Sequence, residues 1–119
     1  MSRRPMGSLE AAILDVLWNS GEPLKAGDVL ERLEIEPAVT YSTVLTILRR
    51  LWKKGLLTRA KAGKAYIYQP TKSREQQIAE SMATAFAASD DPAAALGHFV
   101  EQLSHSQTSA LRRLLGNRR

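Results

Sequence analysis

The apolar residues change their spacing just beyond Gly55, and this change constrains the fold more than any other feature of the sequence. Before Gly55, apolar residues recur at positions i, i+3, i+4 and i+7, as on one face of a helix. These residues are Val44, Ile47, Leu48 and Leu51. After it, two tyrosines alternate around Ile67, and Gly63 stands where two strands would turn. The sequence therefore predicts a helix ending at Gly55 and a two-stranded hairpin closed off by Pro70.

Two further helical patterns precede this helix. The first begins at Ser8, a residue type that caps helix N-termini, and it stops at Gly21 and Pro23. The second covers residues 26–33, with Lys25 as a weak cap. Three helices followed by a β-hairpin are the order of a winged helix-turn-helix, so we expect a mainly α fold with a small hairpin.

Three shorter amphipathic patterns follow the hairpin. Each begins at a residue that can cap a helix, namely Ser73, Asp91, and either Ser104 or Ser106. Their apolar stripes are narrow and rich in alanine, so these helices have too little bulk for a core of their own. Pairing with a second copy would bury the stripes, which predicts a homodimer. The residues assigned to this dimerisation surface are Ile78, Met82, Phe86, Leu96, Phe99, Val100, Leu103, Leu111, Leu114 and Leu115.

The net charge of +5 is concentrated in one segment of the chain. Residues 40–72 contain eight Lys or Arg residues and no Asp or Glu, a net charge of +8. Residues 1–39 carry −3, and residues 73–119 carry 0. A basic segment without acids suits a polyanion such as nucleic acid. We therefore predict a winged-helix DNA-binding domain in residues 1–72 and a helical dimerisation region in residues 73–119.

The polar face of the third helix predicts how DNA would be contacted. On a helical wheel it lies opposite the apolar residues. Short hydroxyl side chains at the N-terminal end can approach base edges in the major groove, whereas long cationic ones reach phosphates. The candidates for base readout are Ser42, Thr43 and Thr46. The candidates for phosphate contact are Arg49, Arg50 and Lys53 on the helix, and Lys61 and Lys64 at the hairpin tip.

The aromatic residues leave an alternative open. Tyr66 and Tyr68 share one strand face and are assigned to core packing or to a phosphate contact. Trp18 and Trp52 are interpreted as packing residues. Together with Leu45, Trp52 lies on the flank of the wheel and keeps a second function open: a winged-helix module that binds an acidic protein surface, with incidental DNA affinity.

The sequence lacks the residues that a metal site, an enzyme active site or a membrane segment would need. The two histidines, His98 and His105, have only scattered carboxylates as further ligands, so we predict no metal site. We find no catalytic constellation and no phosphate-cradling glycine loop, which predicts neither an enzyme nor a cofactor. The absence of cysteine excludes disulfides and thiolate metal sites. Without a long apolar run or a signal peptide, the expected location is the cytoplasm, with no membrane partner.

Four stretches of the chain carry a family resemblance. They are GSLEAAILDVLW, DVLERL, TYSTVLTILRRLWKKGLLTR and the hairpin end AYIYQP. They resemble the penicillinase-repressor family of bacterial regulators (BlaI/MecI/CopY type), and the likeness runs from about Gly7 to Leu115. The resemblance implies a homodimeric winged-helix repressor whose C-terminal helices entwine. It also implies inverted-repeat operators with TACA/TGTA half-sites, controlling β-lactam resistance or related genes.

The resemblance also assigns residues. It places the recognition helix on Tyr41 to Lys54. The operator contacts that it implies come from Ser42, Thr43, Thr46 and Arg50, and the wing contacts from Lys61 and Lys64. In β-lactam-responsive members a membrane sensor triggers proteolysis at an Asn-Phe bond, which corresponds to His98-Phe99 here. Because that asparagine is absent, release by an unidentified sensor protease, by a ligand or by another route stays open. The copper-responsive mechanism needs cysteines and is excluded.

Overall fold

A computed structural model of the chain describes residues 6–116. Within that range the chain forms six helices and a three-stranded sheet, which confirms the mainly α fold with a small β element. The elements are α1 (Met6–Ser20), β1 (Leu24–Lys25), α2 (Ala26–Arg32), α3 (Tyr41–Lys53), β2 (Leu57–Ala62), β3 (Ala65–Pro70), α4 (Arg74–Ala87), α5 (Pro92–Glu101) and α6 (His105–Gly116). The outermost residues of both predicted domains, 1–5 and 117–119, lie outside the described range.

The chain divides into two compact units, and the division falls after Gln77, within α4. The first unit has a core to which α1, α2, α3 and the sheet all contribute. Its buried residues are Leu9, Ile13, Leu14, Leu17, Leu24, Ala26, Val29, Val44, Ile47, Leu48, Leu51, Leu57 and Tyr68. The core includes all four apolar residues that predicted α3, so the helical spacing identified the buried face correctly.

The sheet differs from the prediction by one strand. Its order is β1-β3-β2, and both pairs are antiparallel. The expected hairpin is present, with Gly63 at a φ of +68° in its turn. The expectation of only two strands is wrong, because Leu24 and Lys25 pair with β3 along its other edge. A strand of two residues is too short to show an alternating pattern, so the sequence could not reveal it.

Helix ends agree with the sequence at most positions. The prediction that Ser8 caps α1 is wrong, because the helix already includes Met6 and Gly7. α3 ends at Lys53, two residues before the predicted end at Gly55, and Gly55 has the positive φ of +84° that favours glycine after a helix. Its N-terminal cap is Thr40, a residue that the sequence analysis did not single out.

The helices beyond the sheet begin at the predicted caps. Ser73 forms a reciprocal capping box with Gln76: its hydroxyl accepts from the Gln76 amide at 3.1 Å, and Gln76 Oε1 accepts from the Ser73 amide at 2.9 Å. The Asp91 carboxylate accepts from the Ala94 amide at 3.2 Å. Of the two candidates for α6, the cap is Ser104, whose hydroxyl accepts from the Gln107 amide. None of the helices in residues 6–116 combines the length and apolarity needed to cross a bilayer.

Candidate nucleic-acid interface

A network of hydroxyl groups forms the N-terminal end of α3. Thr40 Oγ1 accepts a hydrogen bond from the Thr43 amide at 3.2 Å and donates one to Thr43 Oγ1 at 3.0 Å. Ser42 Oγ lies 3.2 Å from the same Thr40 oxygen. The first turn of α3 has no acidic residue, so the positive end of the helix dipole is not neutralised there. This end of α3 therefore offers hydroxyls and a favourable field to an anionic ligand.

Four of the predicted operator-contact residues lie around one depression in the surface of the first unit. It has a volume of about 280 Å³. Its lining comprises Leu9, Ser42, Thr43, Thr46, Ile47 and Arg50. Ser42 and Thr46 are exposed, whereas Thr43 is half-buried. Thr40 contacts the hydroxyls of both Ser42 and Thr43. The two exposed side chains are thus the ones best placed to meet a base edge.

The cations of α3 fall into two groups. Arg49 and Lys53 are exposed, and neither forms an ion pair within the described range. Arg50 and Lys54 instead face Glu10 of α1, whose Oε2 lies 3.9 Å from Arg50 Nη1 and 3.2 Å from Lys54 Nζ. The segment 40–72 has no acid of its own, but the fold brings Glu10 to its side. Local spacing carries no signal for this contact, since the partners are 44 residues apart in the Lys54 pair.

The hairpin places the two predicted wing lysines next to its turn. Lys61 and Lys64 are both exposed. Tyr68 belongs to the core, at 1% exposure, and Tyr66 is exposed at 37%. Both tryptophans are half-buried and pack against the core, as predicted.

Arg59 is the residue of this region that sequence reasoning passed over. In the sequence it is one of the eight cations of residues 40–72. Its guanidinium carbon lies 3.5 Å from the centre of the Trp52 ring and 3.9 Å from that of Tyr66. Arg59 therefore connects α3 to the hairpin. The only sequence signal for this role is its position in the predicted strand, directly after Leu57 and Thr58.

The second unit exposes the side chains that were assigned to dimerisation. No residue of α5 or α6 is buried, nor is any residue of α4. Most of the predicted side chains are exposed, and only Leu103 and Leu111 are half-buried. An apolar cavity of about 540 Å³ lies between α4 and α5. Its lining comprises Met82, Ala83, Ala85, Phe86, Ala95, Leu96 and Phe99.

Comparisons with known proteins agree with these features. The family model described as penicillinase repressor matches residues 6–117. Two proteins named transcriptional regulator BlaI, from two strains of Mycobacterium tuberculosis, are each 38% identical to the chain over 113 residues. The match covers 92% of this chain and 82% of each relative.

Solved structures give the same fold. The solution structure of the DNA-binding domain of the repressor BlaI matches with a TM-score of 0.50 and 27% identity, over 62% of this chain and 90% of that domain. A MarR family protein from Bacillus stearothermophilus has a TM-score of 0.50 and 18% identity. That match covers 94% of this chain and 71% of the other, and it shows a likeness of fold alone.

Proposed function

The chain belongs to the penicillinase repressor family, and from this membership we propose that it acts as a homodimer on an inverted-repeat operator. Like its family and its BlaI relatives, it is a DNA-binding transcriptional repressor and not an enzyme. Beyond this role, we propose its assembly, the form of its operator, the residues that contact the operator and the route of release.

One observation carries the proposed DNA contacts. The exposed face of α3 presents Ser42 and Thr46 first and then Arg49 and Lys53, in a segment without a carboxylate. In a major groove this order would set the hydroxyls against bases and the long cations against the flanking phosphates. Thr43 and Arg50 complete the helical contacts, and Lys61 and Lys64 extend them along the backbone.

The proposed dimer is supported by the apolar surface of the second unit. A contiguous apolar patch on a protein surface usually marks a contact with another molecule. A two-fold symmetric pairing would bury the same patch on both copies, and it would present two α3 helices to two half-sites of opposite orientation. Residues 78–116 would then supply the assembly, and the first unit would supply the recognition.

The proposal also covers the regulated genes and the route by which the repressor is released. From the family we also propose that the protein acts in the cytoplasm and controls β-lactam resistance or related genes. Release by a sensor protease would require a cut near His98-Phe99, a bond that lies inside α5. A peptide bond in a helix is cut only after the helix opens locally, so we expect cleavage to depend on the stability of α5.

The interaction-module alternative has less support from the geometry. It needs an apolar or aromatic stripe on the outer face of α3. Trp52 lies under the Arg59 guanidinium, and Leu45 packs against the core. Tyr41, at the start of the helix, is the one large apolar side chain of α3 that is strongly exposed.

The test is selection of genomic DNA fragments on the purified full chain at near-physiological salt, followed by sequencing. We expect enrichment of a two-fold symmetric motif. Retention without a motif, lost steeply as salt rises, would mean that the basic surface binds DNA backbone without reading it. If no DNA is retained, the interaction module becomes the better account.

A further inference from the structure

The face of the hairpin that carries Arg59 runs from the protein core to the wing tip. Directly paired residues of antiparallel strands lie on the same face, and the pairs are Leu57 with Pro70, Arg59 with Tyr68, and Lys61 with Tyr66. Leu57 and Tyr68 are buried, whereas Lys61 and Tyr66 are exposed. Arg59 is half-buried and stands where this face leaves the core.

At that point Arg59 contacts aromatic rings of two different elements. Trp52 belongs to the last turn of α3, and Tyr66 belongs to β3 next to the wing tip. The guanidinium carbon is within 4 Å of both ring centres, at 3.5 and 3.9 Å, which is the stacking distance of a cation–π contact. A single side chain thus joins the helix proposed to read DNA to the hairpin proposed to hold its backbone.

The rings are the partners that hold this side chain. Arg59 forms no ion pair with any carboxylate of the described residues. Arginine suits such a position, since its planar guanidinium can stack on rings while a lysine ammonium is a compact, strongly hydrated charge. The neighbouring Lys61 also lies over the Tyr66 ring, but its Nζ is farther away, at 5.5 Å from the ring centre.

The wing tip needs a constraint of this kind. A two-stranded hairpin is marginally stable by itself, and β1 pairs only with Ile67 and Tyr68, next to the core. Beyond those pairs, residues 61–66 are held by the hairpin hydrogen bonds and by contacts of the Tyr66 ring with Arg59, with Lys61 and with the Tyr68 ring, whose centre lies 6.5 Å away. Of these contacts, the one with Arg59 is the one that reaches α3, through Trp52. A mobile tip would have to be ordered when its lysines bind phosphates, and that ordering lowers affinity.

We propose that Arg59 is a positioning residue for DNA binding: it fixes the wing against α3, so that Lys61 and Lys64 bind the same duplex as the helix cations. The inference rests on the proposed function, which supplies the wing contacts. It differs from a direct role for Arg59, in which the guanidinium itself binds a phosphate. The two roles predict different behaviour when arginine is replaced by lysine.

The experiment measures the dissociation constant of the full-length protein for a random-sequence duplex as salt is varied. Arg59→Lys keeps the charge and removes the planar stack, and Arg59→Gln serves as a second variant. Each is combined with the pair Lys61→Ala and Lys64→Ala. With Arg59 present, we expect the lysine pair to lower the salt slope by about two units and the affinity by about tenfold or more. In the Arg59→Lys and Arg59→Gln proteins we expect the pair to change affinity by less than about threefold, because the wing no longer holds its lysines in place.

Three results would overturn the proposal. The first is an Arg59→Lys protein with the affinity and slope of the unchanged chain, which would make Arg59 a simple phosphate contact. The second is a full effect of the lysine pair in both Arg59 variants. The third is no effect of the pair in the unchanged chain. Unfolding of each variant is followed by circular dichroism, so that binding is compared only at temperatures where all are folded.

Lys53→Ala is the matched control, since it removes a cation from α3 outside the aromatic contact. It should lower the slope by about one unit with any residue at position 59. If Lys53→Ala acts as expected and the wing effect is independent of Arg59, the positioning role fails and the proposed function stands. If neither Lys53→Ala nor the lysine pair changes binding, the proposed DNA surface fails together with the positioning role.

Discussion

The two units of this chain use amphipathic helices in opposite ways. In the first unit the apolar faces are turned inward, and Leu48 of α3 is 0% exposed. In the second they remain on the surface, and Leu96 of α5 is 51% exposed. The net charge is distributed the other way: the excess of cations lies in residues 40–72, within the first unit, whereas residues 73–119 are neutral overall. A unit that hides its apolar groups can fold alone and offer charge to a polyanion, whereas one that exposes them needs another molecule to cover them.

The largest expected effect tests whether the apolar residues of the two units differ in burial. Leu48→Ala should lower the free energy of unfolding by about 2–5 kcal/mol, because it opens a cavity in a packed core. Leu96→Ala is the matched change on an exposed helix face. We expect its effect on unfolding to depend on protein concentration, as it would if the leucine is buried only between copies. Urea titrations at two protein concentrations measure both effects. If the two variants lose the same free energy of unfolding at both concentrations, the comparison is contradicted.

The next effect tests what covers the second unit. Phe99→Asp would place a charge in an apolar contact, and we expect association to weaken by more than about 100-fold. Leu103→Asp should act in the same way. Ala93→Asp adds the same charge to an exposed position in the first turn of α5, where an acid is compatible with the helix dipole, and should leave association unchanged. Sedimentation that finds Phe99→Asp still fully dimeric would remove this face from the interface.

A smaller effect separates two kinds of contact on α3. Thr46→Ala should lose discrimination at one operator position, by about tenfold or less, since a single short side chain reads a single base pair. Lys53→Ala should weaken specific and random duplexes alike and lower the salt slope by about one unit. Competition binding with single-base operator variants measures the difference. An equal loss on specific and random DNA for Thr46→Ala would contradict a readout role.

The smallest effect concerns the acid beside the recognition helix. Glu10→Gln should raise affinity for random DNA by about threefold, because it releases Arg50 and Lys54 from a partly exposed ion pair. Asp15→Asn is the control: it removes the same charge from the same helix, but Asp15 pairs with Arg74 at 3.3 Å. Equal effects of the two substitutions on the salt slope would mean that net charge alone matters and that the Glu10 contact does not.

The sequence predicted what depends on local spacing. The stripe of α3, the glycine at its end and the caps at Ser73 and Asp91 follow rules that act within a few residues, and the structure confirms them. Contacts between distant positions could not be predicted in this way. The pairing of β1 with β3 is one of these, and the approach of Glu10 to Lys54 is another.

Two further features show why composition alone is insufficient. The role of Thr40 as a cap depends on where the helix begins, which its residue type does not show. The role of Arg59 depends on the fold, which places it against Trp52 and Tyr66. The roles of the predicted contact residues on α3 and the wing stay predictions, because base readout and phosphate contact are properties of a complex with DNA.

The strand order has a consequence for the solubility of the protein. Because β3 is paired on both sides, the open hydrogen-bonding edges belong to β1, which has two residues, and to β2, which carries Arg59 and Lys61. Open edges invite strands of other molecules and begin aggregation unless they are very short or charged. The cations of β2 therefore protect the sheet from pairing with other chains before any DNA is bound, and variants that neutralise them should be handled as aggregation-prone proteins.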